Sequence, residues 1–577
     1  MIQCLSEGLV WCSVRLVAGC TDTGPGAAIP GCGNTDEKEK PMKRENVQKM
    51  WIADQGDGTY KNPILYTDYS DPDAIRVGED YFLIASSFCN TPAVPLLHSK
   101  DLVNWKVVNY IMDRLPFERY EKPAHGCGTW APSIRFHEGV YYAFIPMPDE
   151  GILMCRTEDP FGKWSEPAFV RKVVGWIDPC PFWDEDGKAY MVSAFARSRI
   201  GFKSMLYITP IAPDCSRELD DGRFVYDGHA TQPTIEGPKL YKRGGYYYIF
   251  APAGGVATGW QTVLRSRNIY GPYEERIVLR QGSSPVNGPH QGAWVDTPGG
   301  EDWFIHFQDV GNAGRILHLQ PMRWVDDWPV IGGNDVDGCG EPVLCHKKPD
   351  VGVQYPADAP EDSDFFQGEK LGLQWQWNAN YKESWYHLGK EGLTLYAQPC
   401  GYRTQLCDVG NLLIQKWPAP RFQITTCLYL ENLDEGDVAG MVSLGGCYTA
   451  LCAVKKGGKL YLQQRTGNWT RDDEIRETVT VAGTWEKEKT AEGRGGSDDP
   501  EVFPGEILYI RMKVYDAVDI SFEAGTSKDA LYPVGRTTQA TPGRWVGVKA
   551  GLFAIQEGPG EGGSLRAGYF VFEPLQA

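Results

Sequence analysis

A repeated unit constrains the fold of this chain more than any other feature of its sequence. The unit recurs about every 50 to 60 residues, which is the size range of propeller blades. Each copy opens with a small or acidic residue near a proline, runs as an apolar strand, turns at a Gly or Asp cluster and continues into an aromatic strand. The five copies start at Asp71, Ala131, Asp178, Glu236 and Gln291. The pattern predicts five small antiparallel sheets that form a five-bladed β-propeller.

A second folding unit is expected after the propeller, because 577 residues exceed what one hydrophobic core usually supports. The sequence becomes rich in proline and polar residues at about 340–363, which is typical of a linker. Apolar or alternating segments without helical periodicity follow it and predict a β-sandwich. These predicted strands lie at 421–430, 459–464, 507–515, 545–555 and 569–572.

We therefore predict an all-β chain, with a five-bladed β-propeller followed by a lectin-like β-sandwich. Residues 1–49 are expected to be a disordered leader or a misassigned start, because they lack the basic start and long apolar run of a signal peptide and lead into a polar run from Thr35 to Arg44. The predicted catalytic propeller spans 50–340, the linker 341–363 and the sandwich 364–577.

Charge and cysteine usage narrow the possible partners. A net charge of −18 without any basic run argues against nucleic acid and membrane partners and favours a neutral ligand. The 16 cysteines are mostly scattered singly, without a Cys-x-x-Cys pair, so a zinc site is not expected. Reduced thiols favour the cytoplasm, with secretion as the alternative. The oligomeric state is not visible in the sequence.

Three of the repeat positions indicate acid/base chemistry. The first strand of each propeller blade lines the central channel, so Asp71, Asp178 and Glu236 are expected to converge at one end of the axis. Neighbouring carboxylates shift one another's proton affinity, which lets one stay protonated while another is ionised. Other acidic residues near prolines, including Asp68 and Asp73, are interpreted as turn formers.

With these motifs identified, the chain resembles glycoside hydrolase family 43. The resemblance implies that Asp71 is the general base that activates water and that Glu236 is the general acid. It also implies that Asp178 tunes and orients the acid, and that the reaction inverts anomeric configuration. The segments that carry the resemblance are Asn62-Pro63, Ser70-Asp71-Pro72-Asp73, Gly128-Thr129-Trp130-Ala131-Pro132, Trp176-Ile177-Asp178-Pro179, Ile235-Glu236-Gly237-Pro238 and Gly288-Pro289-His290-Gln291-Gly292.

The same resemblance implies several substrate-binding residues. Phe88 and Trp130 would form apolar walls against the sugar, Ala131 would leave room for its ring, and Arg315 would reach its hydroxyls. His290 would hydrogen-bond near the acid or help to hold a structural calcium ion on the axis; no cofactor is required. Core packing is the alternative role for the two aromatics, and a surface ion pair is the alternative for Arg315.

The segment 364–378 resembles the opening of the lectin-like sandwich found in xylosidases of that family, where a sandwich loop closes one side of the pocket. The tryptophans Trp375, Trp377 and Trp385 could be stacking platforms, but we interpret them as core residues on one face of a strand.

The expected function is that of a β-xylosidase or α-L-arabinofuranosidase, which releases terminal xylose, arabinose or both from xylan-derived oligosaccharides. Ile177 stands where xylosidases of the family often carry an aromatic residue, so the preferred sugar stays open. One alternative is a hydrolase specific for arabinan or galactan. Another is a non-catalytic propeller that binds carbohydrate or protein.

Overall fold

A computed structural model describes residues 47–401, 404–468, 478–481 and 502–575. The predicted all-β architecture is confirmed: four sheets of four strands and one of six form the five-bladed propeller, and two larger sheets form a sandwich. The leader predicted at 1–49 lies almost wholly outside the described residues. Across the described ranges, no helix has the length and apolar character needed to span a bilayer.

The propeller is built from strands that follow one another along the chain, four to a blade. The strands are β1 (Thr59–Lys61); β2 (Asp73–Val77), β3 (Asp80–Ile84), β4 (Ala93–Ser99) and β5 (Trp105–Met112) in blade 1; β6 (Ser133–His137), β7 (Val140–Met147), β8 (Gly151–Thr157) and β9 (Ala168–Arg171) in blade 2; β10 (Trp176–Trp183), β11 (Ala189–Phe195), β12 (Met205–Ile211) and β13 (Arg223–Asp227) in blade 3; β14 (Lys239–Arg243), β15 (Tyr246–Ala253), β16 (Trp260–Ser266) and β17 (Glu274–Leu279) in blade 4; β18 (His290–Asp296), β19 (Asp302–Asp309), β20 (Arg315–Val325) and β21 (Trp328–Ile331) in blade 5; then β22 (Gly333–Val336), β23 (Cys339–Glu341) and β24 (Cys345–Lys347).

Among the described residues, helical structure is limited to short turns. The α-helix α1 (Arg197–Ile200) follows β11, and 3-10 turns lie at Glu118–Glu121, Gly311–Ala313, Glu383–Trp385 and Leu406–Asp408.

Each blade starts with a tight hairpin at the position that the repeat predicted. Gly78, Gly139 and Gly244 supply the positive φ angles of these turns, at 64°, 84° and 58°. Apolar clusters then fill each junction between neighbouring blades, as between Phe82 of blade 1 and Tyr141 of blade 2. Such a cluster lies at all five junctions of the ring, so every blade is buried on both faces.

The propeller ring is closed where the segment that enters blade 1 meets the segment that leaves blade 5. Strand β1 pairs antiparallel with β24, from Thr59 opposite Lys347 to Lys61 opposite Cys345. The Asn62 amide donates to the carbonyls of Leu319 and Val343, both at 2.8 Å, and accepts from the Leu319 amide at 2.9 Å. The residues before blade 1 are thereby tied to blade 5 and to the chain that leaves it.

The sandwich consists of two sheets around one apolar core, antiparallel except where β28 pairs parallel with β38. Its strands are β25 (Gln376–Trp377), β26 (Tyr386–Gly389), β27 (Gly392–Tyr396), β28 (Gln398–Pro399), β29 (Leu413–Lys416), β30 (Phe422–Tyr429), β31 (Asp437–Leu444), β32 (Cys447–Lys456), β33 (Lys459–Asn468), β34 (Thr478–Val481), β35 (Ile507–Tyr515), β36 (Asp519–Ser527), β37 (Ala530–Gln539), β38 (Lys549–Gln556) and β39 (Ser564–Glu573). Trp375, Trp377 and Trp385 are buried in this core, as interpreted from the sequence.

One predicted strand begins later than expected. The sequence places a strand at 545–555, but β38 starts at Lys549 and the chain before it is a loop. The amide of Gly547 donates to the Asp68 carboxylate at 2.8 Å, and the amide of Val548 donates to the carbonyl of Asn312 at 2.8 Å. These backbone donors bond to the propeller instead of a neighbouring strand, so the loop is held against the propeller.

A second contact joins the start of the sandwich to blade 1. Thr91 and Trp377 exchange backbone hydrogen bonds, with N···O distances of 3.1 and 2.6 Å. Asn380 donates its amide to the carbonyl of Tyr120 and bonds through its side chain to both backbone groups of Leu115. The predicted domain boundaries at 340/341 and 363/364 stay predictions. Strand β24 lies in the predicted linker and pairs with β1, the strand before blade 1.

A buried charge cluster joins the first strands of three blades. Asp73, interpreted from the sequence as a turn former, is fully buried and accepts from Arg135 Nη1 at 2.7 Å. It also accepts from the amide of Ile134 at 2.9 Å, and Lys239 Nζ lies 4.0 Å away. The turn interpretation of Asp73 is therefore wrong, because its carboxylate compensates two buried cations from blades 2 and 4.

We expect Asp73→Ala to lower the free energy of unfolding by about 3 to 5 kcal/mol, since it leaves the buried cations Arg135 and Lys239 uncompensated. Denaturant unfolding measures the change. Glu166→Gln is the matched control, because both members of the Lys163–Glu166 pair are exposed and its loss should cost less than about 1 kcal/mol. Equal changes in the two variants would contradict this interpretation of Asp73.

Candidate active site

A cavity of about 260 Å³ opens where the first strands of the five blades begin. Asp71, Ala131, Asp178, Glu236 and Gln291 line it, one from the start of each blade. These are the positions at which the five copies of the sequence repeat start. The structure therefore brings the repeat positions together at one end of the axis, as the repeat predicts. The other lining residues are Phe88, Trp130, Ile177, Phe195, Ala196, Arg197, Ser198, Lys203, Val256, Arg315 and Trp545.

Asp71 is buried and held by three donors. Arg315 Nη1 donates to Oδ1 at 2.6 Å, while the hydroxyls of Ser70 and Ser86 each donate to Oδ2 at 2.8 Å. These contacts fix the direction of the carboxylate. Arg315 was expected either to reach sugar hydroxyls or to form a surface ion pair. It lines the cavity, and its ion pair with Asp71 is buried, so it is not a surface ion pair.

Asp178 and Glu236 are the other two carboxyl side chains that line the cavity. Asp178 is 4% exposed, and its Oδ2 accepts from the Gly237 amide at 2.7 Å. Burial first, and the nearby charge of Glu236 second, raise the pKa of Asp178 to about 8. The Glu236 side chain is 27% exposed to the cavity, so it is the more accessible of the two carboxyl groups.

Backbone geometry marks the same positions. Asp71 and Asp178 both adopt φ of 55°, in the left-handed region that non-glycine residues seldom occupy. Each of the two immediately precedes a proline at the start of a blade. Glu236 is followed by Gly237 at φ 59°, which places the left-handed residue one position later. Such strain costs about 1 kcal/mol or more per residue and is concentrated at functional sites.

His290 lies behind Glu236. Its Nε2 is 3.0 Å from Glu236 Oε1, so either the imidazole donates to the carboxylate or the neutral acid donates to the imidazole. The ring is buried and His290 is not one of the cavity-lining residues. Its predicted contact with substrate therefore stays a prediction, whereas its contact with the Glu236 carboxyl group is direct.

The donor set around His290 does not fit a calcium site made of protein ligands. Calcium takes roughly six to eight oxygen ligands, and His290 offers one buried nitrogen, Nδ1, that has no hydrogen-bond partner. Within the ranges that the structure describes, no three His, Cys, Asp or Glu side chains are grouped to hold a metal.

Three aromatic rings form the apolar wall of the cavity. Trp545 lies with its ring centroid 4.8 Å from Trp130, at an interplanar angle of 70°, and 6.4 Å from Phe88 at 25°. Phe88 and Trp130 were predicted from the sequence. Trp545 was missed, because it belongs to a sandwich loop that the sequence assigned to a strand.

Asp68 connects this wall to the carboxylates. Its Oδ1 accepts from the Arg315 amide at 2.9 Å, and its Oδ2 accepts from the Gly547 amide at 2.8 Å. Arg315 binds Asp71, and Gly547 follows Trp545 in the loop, so one buried carboxylate positions both. The sequence interpretation of Asp68 as a turn former is wrong, since both of its oxygens bond to residues far away in the chain.

Sequence reasoning also missed the residues around α1. Arg197, Ser198 and Lys203 line the cavity, but the sequence between β11 and β12 carries no repeat motif and reads as a polar connection. Gln291 was part of a quoted motif without an assigned role, and it lies next to Gly237, where an added Cβ would be 2.8 Å from its side chain.

Comparison with known proteins identifies two family models along the chain. The model described as glycosyl hydrolases family 43 matches residues 60–329. The model described as beta xylosidase C-terminal concanavalin A-like domain matches residues 363–573.

Individual proteins are similar over most of the chain. A Xylanibacter ruminicola protein named "Putative beta-xylosidase" is 43% identical over 428 residues, which cover 73% of this chain and 77% of that protein. A "Non-reducing end alpha-L-arabinofuranosidase" of Bacteroides ovatus is 29% identical over 59% of this chain and 65% of its own length. A solved Bacteroides eggerthii structure, described as a bifunctional GH43-CE, is 26% identical with a TM-score of 0.74, covering 90% of this chain and 64% of that one.

The raised pKa of Asp178 predicts a pH-dependent stability. Between pH values of about 4 and 8 the folded protein keeps a proton that the unfolded chain has lost, so stability falls as pH rises through this window. We expect Asp178→Asn to be more stable than the parent at pH 9, by up to about 6 kcal/mol at about 1.4 kcal/mol per pKa unit, and similar to it at pH 4.

Denaturant unfolding at the two pH values measures this difference. Asp113→Asn is the control, because Asp113 is exposed and its charge stays in water in both states. A gain for Asp178→Asn that is the same at pH 4 and pH 9 would contradict the raised pKa.

Proposed function

Since the chain belongs to glycoside hydrolase family 43, we propose that it is an inverting, exo-acting hydrolase that releases terminal xylose, arabinose or both from xylan-derived oligosaccharides. The observation that carries this proposal is the cavity itself. Carboxyl groups from three blades meet in a small space, and a tryptophan from the sandwich closes one side of it.

In the proposed reaction, Asp71 is the general base and Glu236 the general acid. Asp71 takes a proton from a water molecule as the water oxygen attacks the anomeric carbon. The bond from that carbon to the leaving oxygen breaks, and Glu236 gives the leaving oxygen a proton. The base gains one proton and the acid loses one, so exchange with solvent restores the starting state. Attack from the face opposite the leaving group inverts the configuration.

Asp178 is proposed to control the proton of the acid. With a pKa raised to about 8, Asp178 keeps a proton within the Asp178 and Glu236 pair at neutral pH. When the proton is on Glu236, a charge on Asp178 opposes ionisation of the acid until the leaving oxygen develops charge. His290, at 3.0 Å from Glu236, orients the acid from behind.

The shape of the cavity supports release of single terminal sugars. A volume of about 260 Å³ is just below the roughly 300 to 1,000 Å³ of sites for drug-sized ligands, and it suits one or two sugar rings. Phe88, Trp130 and Trp545 offer apolar faces for the ring, and Ala131 leaves space beside it. A chain that continued through the aromatic wall would meet Trp545.

The two pentoses are proposed together because they present similar hydroxyl patterns to such a pocket. The relatives carry both names, one a xylosidase and one an arabinofuranosidase. Ile177 lines the cavity where an aromatic residue would narrow it, which leaves room for either ring.

The proposed reaction needs only water as a second reactant and requires no cofactor. The proposed location is the cytoplasm, supported by buried free thiols at Cys89, Cys155 and Cys180. An oligosaccharide is the proposed partner, and the negative net charge supports the absence of nucleic acid and membrane partners.

The first test uses 4-nitrophenyl β-D-xylopyranoside and 4-nitrophenyl α-L-arabinofuranoside. We expect release from one or both, and Asp71→Ala and Glu236→Ala should each lower kcat by at least about 100-fold, the usual contribution of a positioned acid or base. Proton NMR of xylobiose hydrolysis should show the α anomer of the released xylose first, as inversion of a β linkage requires.

Asp350→Ala, an exposed carboxylate outside the cavity, is the control and should retain the activity. Release that persists in the Glu236 variant would contradict the assignment. Release from arabinan or galactan alone would favour the alternative hydrolase, and no release from any glycan would favour a binding module.

Trp545 gives a separate prediction. We expect Trp545→Ala to raise KM for xylobiose by about 10-fold or more, because it removes an aromatic face worth roughly 1.5 kcal/mol or more of packing on the substrate. Trp545→Phe should keep most of that contact, so its KM should lie near that of the parent. Unchanged KM in the alanine variant would show that the sandwich loop does not contact substrate.

A further inference from the structure

We propose that the mouth of the cavity beside Glu236 binds a carboxylate on the leaving part of the substrate, namely a hexuronic acid carried by the oligosaccharide. The inference rests on the proposed function, because it names which leaving groups the same site prefers. It is carried by two cationic side chains, Arg197 and Lys203, that line the cavity without any carboxylate partner among the described residues.

Arg197 is the first of these cations. It is exposed at the start of α1, and within the described part of the chain its guanidinium makes no ion pair or hydrogen bond. Arg199, two residues later, shows the opposite arrangement. It binds Asp149 through two nitrogens at 2.9 and 3.1 Å, donates to the Gly126 carbonyl and lies over the Trp130 ring at 4.9 Å. Arg199 therefore supports the wall, whereas Arg197 is available to a ligand.

Lys203 is the second cation, and it is held in place. Its Nζ donates to Thr234 Oγ1 at 2.9 Å, and the Ser204 hydroxyl accepts from the Thr234 amide at 2.8 Å. The Ser204 carbonyl also accepts from the Gly228 amide. These bonds hold the ammonium group against Thr234, which precedes Glu236 by two residues in the chain.

Unpaired cations are unexpected at this place for a reaction on neutral sugars only. They favour the ionised form of nearby carboxyl groups, although the general acid must be protonated to act. The chain as a whole carries a net charge of −18, so its acidic residues outnumber its basic ones. Arg197 and Lys203 nevertheless have no carboxylate partner among the described residues. A carboxylate on the substrate would accept charge-assisted hydrogen bonds from both cations and remove this cost when the complex forms.

A sugar acid is the ligand that meets these conditions. The leaving part of the substrate is itself an oligosaccharide under the proposed function, so its carboxylate belongs to a hexuronic acid residue. Ser198, between Arg197 and Arg199, adds a hydroxyl at the same side of the cavity for the remaining sugar hydroxyls.

Binding is measured first, by calorimetry on the full chain carrying Glu236→Gln so that the ligand stays intact. The ligand is xylotriose with a glucuronic acid on the xylose next to the terminal one. Its comparator is the same oligosaccharide with the carboxyl group reduced to an alcohol, which keeps the shape and removes the charge.

We expect the acid to bind about fivefold or more tightly than the alcohol at low salt, and the difference to shrink as salt screens the charges. Adding Arg197→Gln or Lys203→Gln should reduce the preference, while Lys203→Arg should retain it. Lys163→Gln, an exposed lysine that makes the same change in net charge, should leave it unchanged. Equal dissociation constants for the acid and the alcohol would overturn the inference.

Hydrolysis gives the second readout, as the ratio of kcat/KM for the acid to kcat/KM for the alcohol. The ratio should fall toward one in Arg197→Gln with Lys203→Gln. If the two cations only adjust the charge of the acid, the variants would shift the pH profile on both oligosaccharides and leave the ratio as it is, which would overturn the inference.

The two proposals fail in different ways. Absence of hydrolysis of both oligosaccharides would contradict the proposed function, and the binding preference would still decide the carboxylate site. Hydrolysis of both at equal efficiency by the unsubstituted chain would support the proposed function and overturn the carboxylate site.

Discussion

Crowding at the propeller axis is the constraint on which the rest of this structure depends. Five first strands start around one narrow space, so side chains that are far apart in sequence cannot avoid one another there. At one level Asp73 compensates Arg135 and Lys239, and the charges are neutralised within the protein. Where the strands begin, Asp71 is paired with Arg315, while burial and the nearby charge of Glu236 raise the pKa of Asp178. The first level stabilises the ring, and the second holds the carboxyl groups that are proposed to act in the reaction.

The features that repeat were predictable from the sequence, because equivalent positions in repeated units occupy equivalent places in the blades. Turn glycines, apolar strands and a small or acidic residue at the start of most copies indicated the blades and predicted that Asp71, Asp178 and Glu236 meet at one end of the channel. Phe88 and Trp130 followed from resemblance to a family and were found in the cavity wall. The sandwich was predicted from alternating strands, and its buried tryptophans were assigned to the core for the same reason.

What the sequence did not reveal depends on contacts between segments without any shared pattern. Asp68 looks like other acidic residues near turns, yet its two oxygens hold Arg315 and the loop of Trp545. The start of β38 was misplaced because hydrogen bonds to the propeller, and not local propensity, keep residues 545–548 out of the strand. Arg197 and Lys203 were overlooked since an exposed cation in a polar connection is usually only solvated. In each case the missing information is a distance between residues in different parts of the fold.

The loop at Trp545 has a consequence for how enzymes of this architecture diversify. The sandwich supplies no proposed acid or base, but it determines where the cavity ends on one side. Substrate length and linkage preference can therefore change through a loop that is separate in sequence from every proposed catalytic residue. Natural variation in that loop would change which glycans fit the cavity, while the proposed catalytic residues stay the same.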